Sequence, residues 1–248
     1  MYDLGIIGGM GPEATAEIFK RIITLTDANC DQEHMKICIL NKPQIPDRTE
    51  YIIGRGQSPL PVIMEGISEL KTLGARYFII PCNTSHIFAN LFSKQKDIKF
   101  IDMIETTKRY LSKKYRGKKI CILGTTGTVT SKIYGDGYND GIHIFYPEQD
   151  IQDEVMSIII SVKANNKSIS DNKTRIINVM KEINKSQGNC IFVVACTELS
   201  VIVSGQYIDG IEYIDAMEIL AINAIINCGY KINRRMTNLD ILTIMEDC

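Results

Sequence analysis

The sequence lacks the features that mark a membrane protein or a nucleic-acid-binding protein. No segment reaches the roughly 18 consecutive apolar residues that a membrane-spanning helix needs. The formal net charge is only -1, so the chain offers neither a basic surface for nucleic acid nor a polybasic membrane anchor. The first residues, MYDLGIIGGMGPEAT, have no basic region and too short an apolar run for a signal peptide. We therefore expect a cytoplasmic protein that binds neither membranes nor nucleic acid.

The chain also has no C-x-x-C pair and no Cys/His cluster with the spacing of a zinc site, although it contains eight cysteines. At 248 residues it is too long to depend on disulfides for its stability. Several cysteines lie inside apolar runs such as KICIL and NCIFVVAC, where cysteine behaves as a small hydrophobic residue. We predict a reduced protein without a metal site, in which most cysteines belong to the core.

Hydrophobicity alternates along the chain between short and long segments. The short apolar runs LGIIGG, KICIL, YFIIPC, KICILG, HIFYP and CIFVVAC are typical of buried strands. The longer stretches between them repeat apolar residues at helical spacing. Because strands that alternate with helices form parallel sheets covered by helices, the predicted class is α/β.

The chain nearly repeats itself. LGIIGGMG corresponds to KICILGTTG, YFIIPCNTSH to CIFVVACTELS, and KFIDMIE to EYIDAME, in order and at a nearly constant separation. We predict two pseudo-symmetric Rossmann-like halves that face each other across a cleft holding the active site. The first half is predicted to comprise residues 1–102 plus 214–248, and the second half residues 103–213. G-G-M-G approaches a dinucleotide-binding fingerprint, but the G-x-G-x-x-G spacing fails.

Each half carries a cysteine, Cys82 or Cys196, directly after an apolar strand. Ligands of open α/β sheets bind at the carboxyl ends of strands, and a helix N-terminus there would lower a thiol pKa. Inverting a stereocentre needs a base on one face of the carbon and an acid on the other, which a thiolate and a thiol can supply. Polar neighbours and backbone N–H groups could hold a substrate carboxylate; these neighbours are Asn83, Thr84, Ser85 and Thr197.

Other interpretations of these residues stay open. Both cysteines could be packing residues, as we expect for Cys38, Cys121 and Cys190. Cys82 with His86, four residues further on, could form a thiol amidohydrolase that does not need Cys196. The cleft could also bind an amino acid as a sensor without turning it over.

Five segments together resemble the aspartate racemases of the Asp/Glu/hydantoin racemase superfamily: LGIIGGMGPEAT, NKPQIPDRT, PCNTSH, LGTTGT and ACTEL. The resemblance implies a reaction without metal or pyridoxal phosphate, catalysed by Cys82 and Cys196 on a small acidic amino acid, and commonly a homodimer. It implies that Arg48 and Lys163 contact the substrate, and an arginine can hold a carboxylate with two hydrogen bonds. Further predicted substrate contacts are Met10, Thr128 and Glu198.

Two departures separate the chain from the glutamate racemases of cell-wall synthesis. Those enzymes resemble D-S-G-x-G-G at the first strand and G-C-T-H at the second cysteine, whereas this chain has G-G-M and Glu198 there. Both differences favour the aspartate branch, and the presence of both cysteines favours full racemisation. Glutamate, or a broader range of acidic amino acids, is the alternative substrate.

Overall fold

The computed structural model describes residues 1–135, 138, 141–164, 168–203 and 207–236. The strands are β1 (Tyr2–Gly8), β2 (Ile37–Asn41), β3 (Ala75–Ile79), β4 (Lys99–Phe100), β5 (Lys119–Gly124), β6 (His143–Phe145), β7 (Ile191–Ala195) and β8 (Glu212–Asp215). The α-helices are α1 (Pro12–Leu25), α2 (Arg48–Ile52), α3 (Leu60–Thr72), α4 (Ala89–Phe92), α5 (Met103–Lys114), α6 (Thr126–Ser131), α7 (Gln149–Lys163), α8 (Ile169–Gln187), α9 (Thr197–Val203) and α10 (Ala216–Asn227). Short 3₁₀ helices cover Asp31–Glu33 and Asn83–Phe88.

The strands form two four-stranded sheets with the same internal order. The first sheet has the order β2-β1-β3-β4 and the second has β6-β5-β7-β8, and all paired strands are parallel. β5 therefore occupies the place of β1, and β7 that of β3. The identical order confirms the predicted α/β class with parallel sheets, and it places Cys82 and Cys196 after equivalent strands.

The sequence pattern explains most strands but not all of them. A parallel strand buried on both faces appears as a continuous apolar run, and in β7 every residue is buried. β4 has only two residues and β8 only four, and neither was predicted as a strand. Among the described residues, no helix combines the length and the apolarity that crossing a bilayer would require.

The glycine pair at the end of β1 begins the turn into α1 and passes close to the residue that follows β2. Gly9 has a φ of 94°, a conformation that side chains disfavour, and a Cβ there would collide with the backbone of Lys42. The Gly9 N–H donates to the Thr15 hydroxyl at 2.9 Å. The resemblance of G-G-M-G to a nucleotide-binding turn thus has a local structural explanation.

Helix α10 lies between the two sheets. Nearly all of its side chains are buried, and they belong to a core that also includes residues of β1, β3, β5 and β7. Two further cores lie on the outer sides of the sheets. The predicted assignment of residues 214–248 to the first half stays a prediction, since α10 packs against elements of both halves and residues 237–248 lie outside the described part of the chain.

A buried ion pair joins α1 to the start of α10. Arg21 Nη1 donates to Asp215 Oδ2 at 2.6 Å, and Arg21 Nη2 donates to the Ser200 carbonyl at 3.1 Å. The Ser200 hydroxyl donates to Asp215 Oδ1 at 2.7 Å, and the same oxygen caps α10. Burial alone would lower the pKa of Arg21, but Asp215 and Glu17 outweigh it and raise that pKa.

Candidate active site

The two predicted cysteines line one small cavity at the carboxyl ends of β3 and β7. Cys82 and Cys196 are both buried, with 6% and 4% of their surfaces exposed. Of the other predicted site residues, all but two line this cavity. The lining comprises Met10, Asp47, Arg48, Thr49, Cys82, Asn83, Thr84, Thr125, Lys163, Ala195, Cys196, Thr197 and Glu198.

The cavity has a volume of about 20 Å³, which is room for about one water molecule. A larger groove of about 1080 Å³ runs along β8, but neither Cys82 nor Cys196 lines it. Because the small cavity collects both thiols and several buried charges, we take it as the candidate active site. An amino acid can enter only if the lining side chains move apart.

The main chain around Cys82 is held by the turn that follows it. Residues 83–88 form a 3₁₀ helix rather than the α-helix start that the sequence suggested. The Cys82 carbonyl accepts hydrogen bonds from the Ser85 hydroxyl at 2.7 Å and from His86 Nδ1 at 2.8 Å. Ser85 is therefore not among the cavity residues, and its role is to fix the backbone that carries the thiol.

His86 is a buried residue whose ring is held by the main chain. Its Nε2 accepts the Met103 N–H at 3.2 Å, so the ring proton lies on Nδ1, which donates to the Cys82 carbonyl. Burial lowers the pKa of His86, although Asp102 opposes the shift. Both ring nitrogens are occupied by the backbone, so the Cys82–His86 pair of a thiol hydrolase is not formed.

Arg48 is the fixed cation beside Cys82. Its Nη1 donates to the carbonyls of Ile45 and Pro46 at 3.4 and 3.2 Å, and its Nη2 donates to the Met10 carbonyl at 3.2 Å. The Arg48 Nε is buried and has no hydrogen-bond partner among the described residues. Burial alone would lower the pKa of Arg48, but the nearby Cys82 sulfur and acidic groups raise it.

Cys196 faces the carboxylate of Glu198. Its Sγ donates to Glu198 Oε2 at 3.0 Å, and Thr197 Oγ1 lies 3.4 Å from the same oxygen. Burial raises the pKa of Cys196 well above its ordinary value, and Glu198 raises it further, while Lys163 opposes them. The expectation that a helix N-terminus lowers this thiol's pKa is therefore wrong, because burial and the carboxylate outweigh the helix.

Lys163 closes the cavity from the second half. It is the last residue of α7, its side chain is 35% exposed, and its Nζ lies 3.9 Å from Glu198 Oε1. Burial lowers the pKa of Lys163, but Glu198 and the two thiols raise it above its ordinary value. The lysine thus adds positive charge next to both sulfur atoms.

Three hydroxyl groups join the halves at the cavity. Thr84 Oγ1 lies 2.9 Å from Thr125 Oγ1 and 3.1 Å from Thr128 Oγ1. A Cβ on Gly127 would come within 2.8 Å of Thr84 and 2.9 Å of Thr49, so this glycine allows α6 to approach the first half. Thr128 supports Thr84 and Thr125 from behind, and Thr125 rather than Thr128 lines the cavity.

A tyrosine orients the amide of Asn83. The Tyr134 hydroxyl donates to Asn83 Oδ1 at 2.6 Å, and Asn83 Nδ2 is buried without a partner among the described residues. Sequence reasoning did not select Tyr134, because it lies outside the motifs, six residues after the end of LGTTGT. It also missed Asp47 and Thr49, which flank Arg48 in P-D-R-T and could have been found from that position.

The described residues contain no group of three or more His, Cys, Asp or Glu side chains that could hold a metal ion. The polar groups of the cavity are thiols, hydroxyls, one amide and charged side chains from both halves. Such a set can move protons and can bind carboxylates.

Comparisons with known proteins agree with this chemistry. The family model described as Asp/Glu/hydantoin racemase matches residues 7–224. The structure of Picrophilus torridus aspartate racemase is similar with a TM-score of 0.83 and 33% identity over 98% of each chain. The broad-specificity amino-acid racemase RacX of Bacillus subtilis is 26% identical over 80% of this chain and 86% of its own.

An aspartate racemase homologue from Pyrococcus horikoshii has the same fold, with a TM-score of 0.71, 21% identity, and coverage of 92% of this chain and 99% of its own. The family model and the Picrophilus enzyme go further than the fold. They show that this chain belongs to the Asp/Glu/hydantoin racemase family and is an amino-acid racemase, an isomerase.

Proposed function

We propose that the protein interconverts L- and D-aspartate, with Cys82 and Cys196 as the paired acid and base and without metal or pyridoxal phosphate. One observation carries the proposal: two thiols that follow equivalent strands of the repeated sheets line a single cavity. A thiolate on one side of the substrate removes the α-proton, and the thiol on the other side returns a proton to the opposite face. The reverse reaction exchanges the two roles.

The groups around the thiols suit a dicarboxylate. Arg48 Nε and Asn83 Nδ2 are buried N–H donors without partners in the part of the chain that the structure describes, and leaving such donors unpaired is costly. A substrate carboxylate would satisfy them. Lys163 supplies a second positive charge, which favours a substrate with a second carboxylate.

The names of two relatives support aspartate, or several amino acids including aspartate, as the substrate. The Picrophilus protein is named an aspartate racemase and the Bacillus protein a broad-specificity racemase. We propose aspartate as the preferred substrate, with glutamate or several acidic amino acids as the alternative. On the resemblance to this family we also propose a cytoplasmic homodimer, which light scattering of the purified protein tests.

The decisive experiment separates the two faces of the substrate. Cys82→Ala and Cys196→Ala each remove one proton carrier, so racemisation of aspartate should fall by about 10²–10⁴-fold in either variant. The remaining thiol still reaches the α-proton on its own side. In deuterated water each variant should exchange the α-proton of one enantiomer, and the two variants should prefer opposite enantiomers.

Cys228→Ala is the matched control, because this buried cysteine contacts the Asp3 carbonyl near the start of β1, far from the carboxyl ends of the strands. It should racemise normally. A Cys196→Ala protein that racemises near the original rate, or two variants that exchange the same enantiomer, would overturn the two-thiol mechanism. Parallel assays with glutamate decide the substrate.

A further inference from the structure

The two thiols face charged groups of opposite sign. Arg48 stands beside Cys82, whereas Cys196 donates its hydrogen bond to Glu198. We propose that Arg48 and Glu198 fix the resting protonation state, with Cys82 as the thiolate base and Cys196 as the thiol acid. This inference rests on the proposed two-thiol function, and it assigns Glu198 as a further catalytic residue, since it contacts a reacting sulfur.

The hydrogen bond at Cys196 requires a proton. Glu198 Oε2 lies 3.0 Å from the sulfur, and a thiolate there would place two anions in contact inside a buried cavity, where charge interactions are poorly screened. Lys163 is the cation that opposes this effect, but its side chain is 35% exposed and its Nζ lies 3.9 Å from the other carboxylate oxygen. The closer and more buried carboxylate therefore decides the state of Cys196.

Cys82 lies beside a buried cation instead of a carboxylate. The Arg48 guanidinium is buried, and three backbone carbonyls hold it beside the sulfur. Lys163 also acts on Cys82 with a positive charge. The acidic side chains near Arg48 are Asp47, which accepts the Glu50 N–H at the start of α2, and Glu198, which accepts the Cys196 thiol. The hydrogen bond from His86 to Cys82 goes to the backbone carbonyl and not to the sulfur.

A resting state with one charged thiol orders the proton transfers. In one direction the Cys82 thiolate takes the α-proton, and Cys196 gives its proton to the opposite face of the carbon. Product release leaves Cys82 as a thiol and Cys196 as a thiolate, and solvent resets the pair by accepting one proton and supplying another. The other enantiomer must bind this second, less populated state.

The two directions must still have equal values of kcat/KM, because L- and D-aspartate have equal free energies. The asymmetry therefore shows most clearly in single-thiol variants. Cys196→Ala leaves only Cys82 to exchange the α-proton in deuterated water, and Cys82→Ala leaves only Cys196. The pH of half-maximal exchange should be higher by about one unit or more when Cys196 is the only thiol, since a contacting carboxylate commonly shifts a titration by that amount.

Adding Glu198→Gln to Cys82→Ala should move that half-maximal pH down by about one unit or more. The same change added to Cys196→Ala should have little effect. Glu154→Gln is the matched control, because Glu154 pairs with Arg175 on the surface of α7 and α8, and it should shift neither profile.

Equal half-maximal pH values in the two single-thiol variants would refute the inference, and so would a Glu198→Gln variant that leaves the Cys196 profile in place. If neither single-thiol variant exchanges any α-proton, the two-thiol function itself fails, which is a different result. Ultraviolet titration of thiolate absorbance, compared between the parent protein and each single variant, shows without catalysis which of the two thiols loses its proton at the lower pH. The thiolate that forms at the lower pH should be absent from Cys82→Ala. If it is absent from Cys196→Ala instead, the assignment is overturned.

Discussion

Replacing Arg48 by lysine separates the shape of the cation from its charge. In the structure, Arg48 uses Nη1 and Nη2 to hold the carbonyls of Ile45, Pro46 and Met10, while Nε remains available to a ligand. A lysine keeps the positive charge, but a single ammonium cannot reach these carbonyls and a substrate carboxylate together. The variant should therefore bind the reacting substrate less well.

The expected loss follows from the missing contact. A hydrogen bond to a charged group contributes about 1.5–3 kcal/mol, which corresponds to a fall in kcat/KM of about 10- to 150-fold. Arg48→Ala removes the charge beside Cys82 as well, so its loss should be larger. Initial rates of racemisation, followed by circular dichroism or by a coupled D-aspartate assay, give the values.

Arg175→Lys provides the matched control for this substitution. Arg175 also makes paired contacts, with Glu154 at 2.8 and 3.0 Å, but it lies on α8 away from the cavity. It should keep the parent kcat/KM. An Arg48→Lys protein with unchanged kcat/KM would refute the role of the guanidinium, and a loss matched by Arg175→Lys would show that the assay measures folding instead.

Two further predictions concern buried ionisable side chains that do not take part in the reaction. Asp215→Ala leaves Arg21 buried without this partner and should lower the free energy of unfolding by about 3–5 kcal/mol. Adding Arg21→Met should recover much of this loss. A loss below about 1 kcal/mol, measured by urea unfolding, would contradict a stabilising role of the buried pair. Because burial lowers the pKa of His86, the unfolded chain binds its proton first as pH falls, so stability should decline below the ordinary histidine pKa of 6.5. His86→Asn should flatten that decline and the exposed His143→Asn should not, whereas equal slopes in both variants would exclude His86 as the cause.

The fold was predictable because the central strands of its sheets are largely buried on both faces. LGIIGG and CIFVVAC could hardly form anything but inner strands, and the order of the motifs indicated the repeat. β4 and β8 were missed because a strand of two or four residues carries too little periodicity. Asp102, two residues after β4, and Asp215, the last residue of β8, were visible only as repeated letters, although each caps the helix that follows.

The candidate site was predictable in composition but not in orientation. The motif C-N-T-S predicts polar side chains at a strand end. Only the folded turn shows that the Ser85 hydroxyl donates to the Cys82 carbonyl while Asn83 and Thr84 line the cavity. The charge state around Cys196 also depends on tertiary contacts. A helix start suggests an acidic thiol, and only the burial of the sulfur and the position of the Glu198 carboxylate reverse that expectation.

The position of α10 has a consequence for how the chain is made. Its side chains fill a core shared by β1, β3, β5 and β7, but the helix is synthesised after all eight of these two sheets' strands. While residues 1–215 emerge from the ribosome, the inner faces of both sheets lack the helix that covers them. Domains generally fold as units in the order of synthesis; here α1 and α5 cover part of this core, but neither sheet can complete the burial of its inner face until residues 216–227 arrive. We therefore expect nascent chains arrested before Ala216 to be sensitive to protease and to bind chaperones, and both sheets to become protected together once α10 is released.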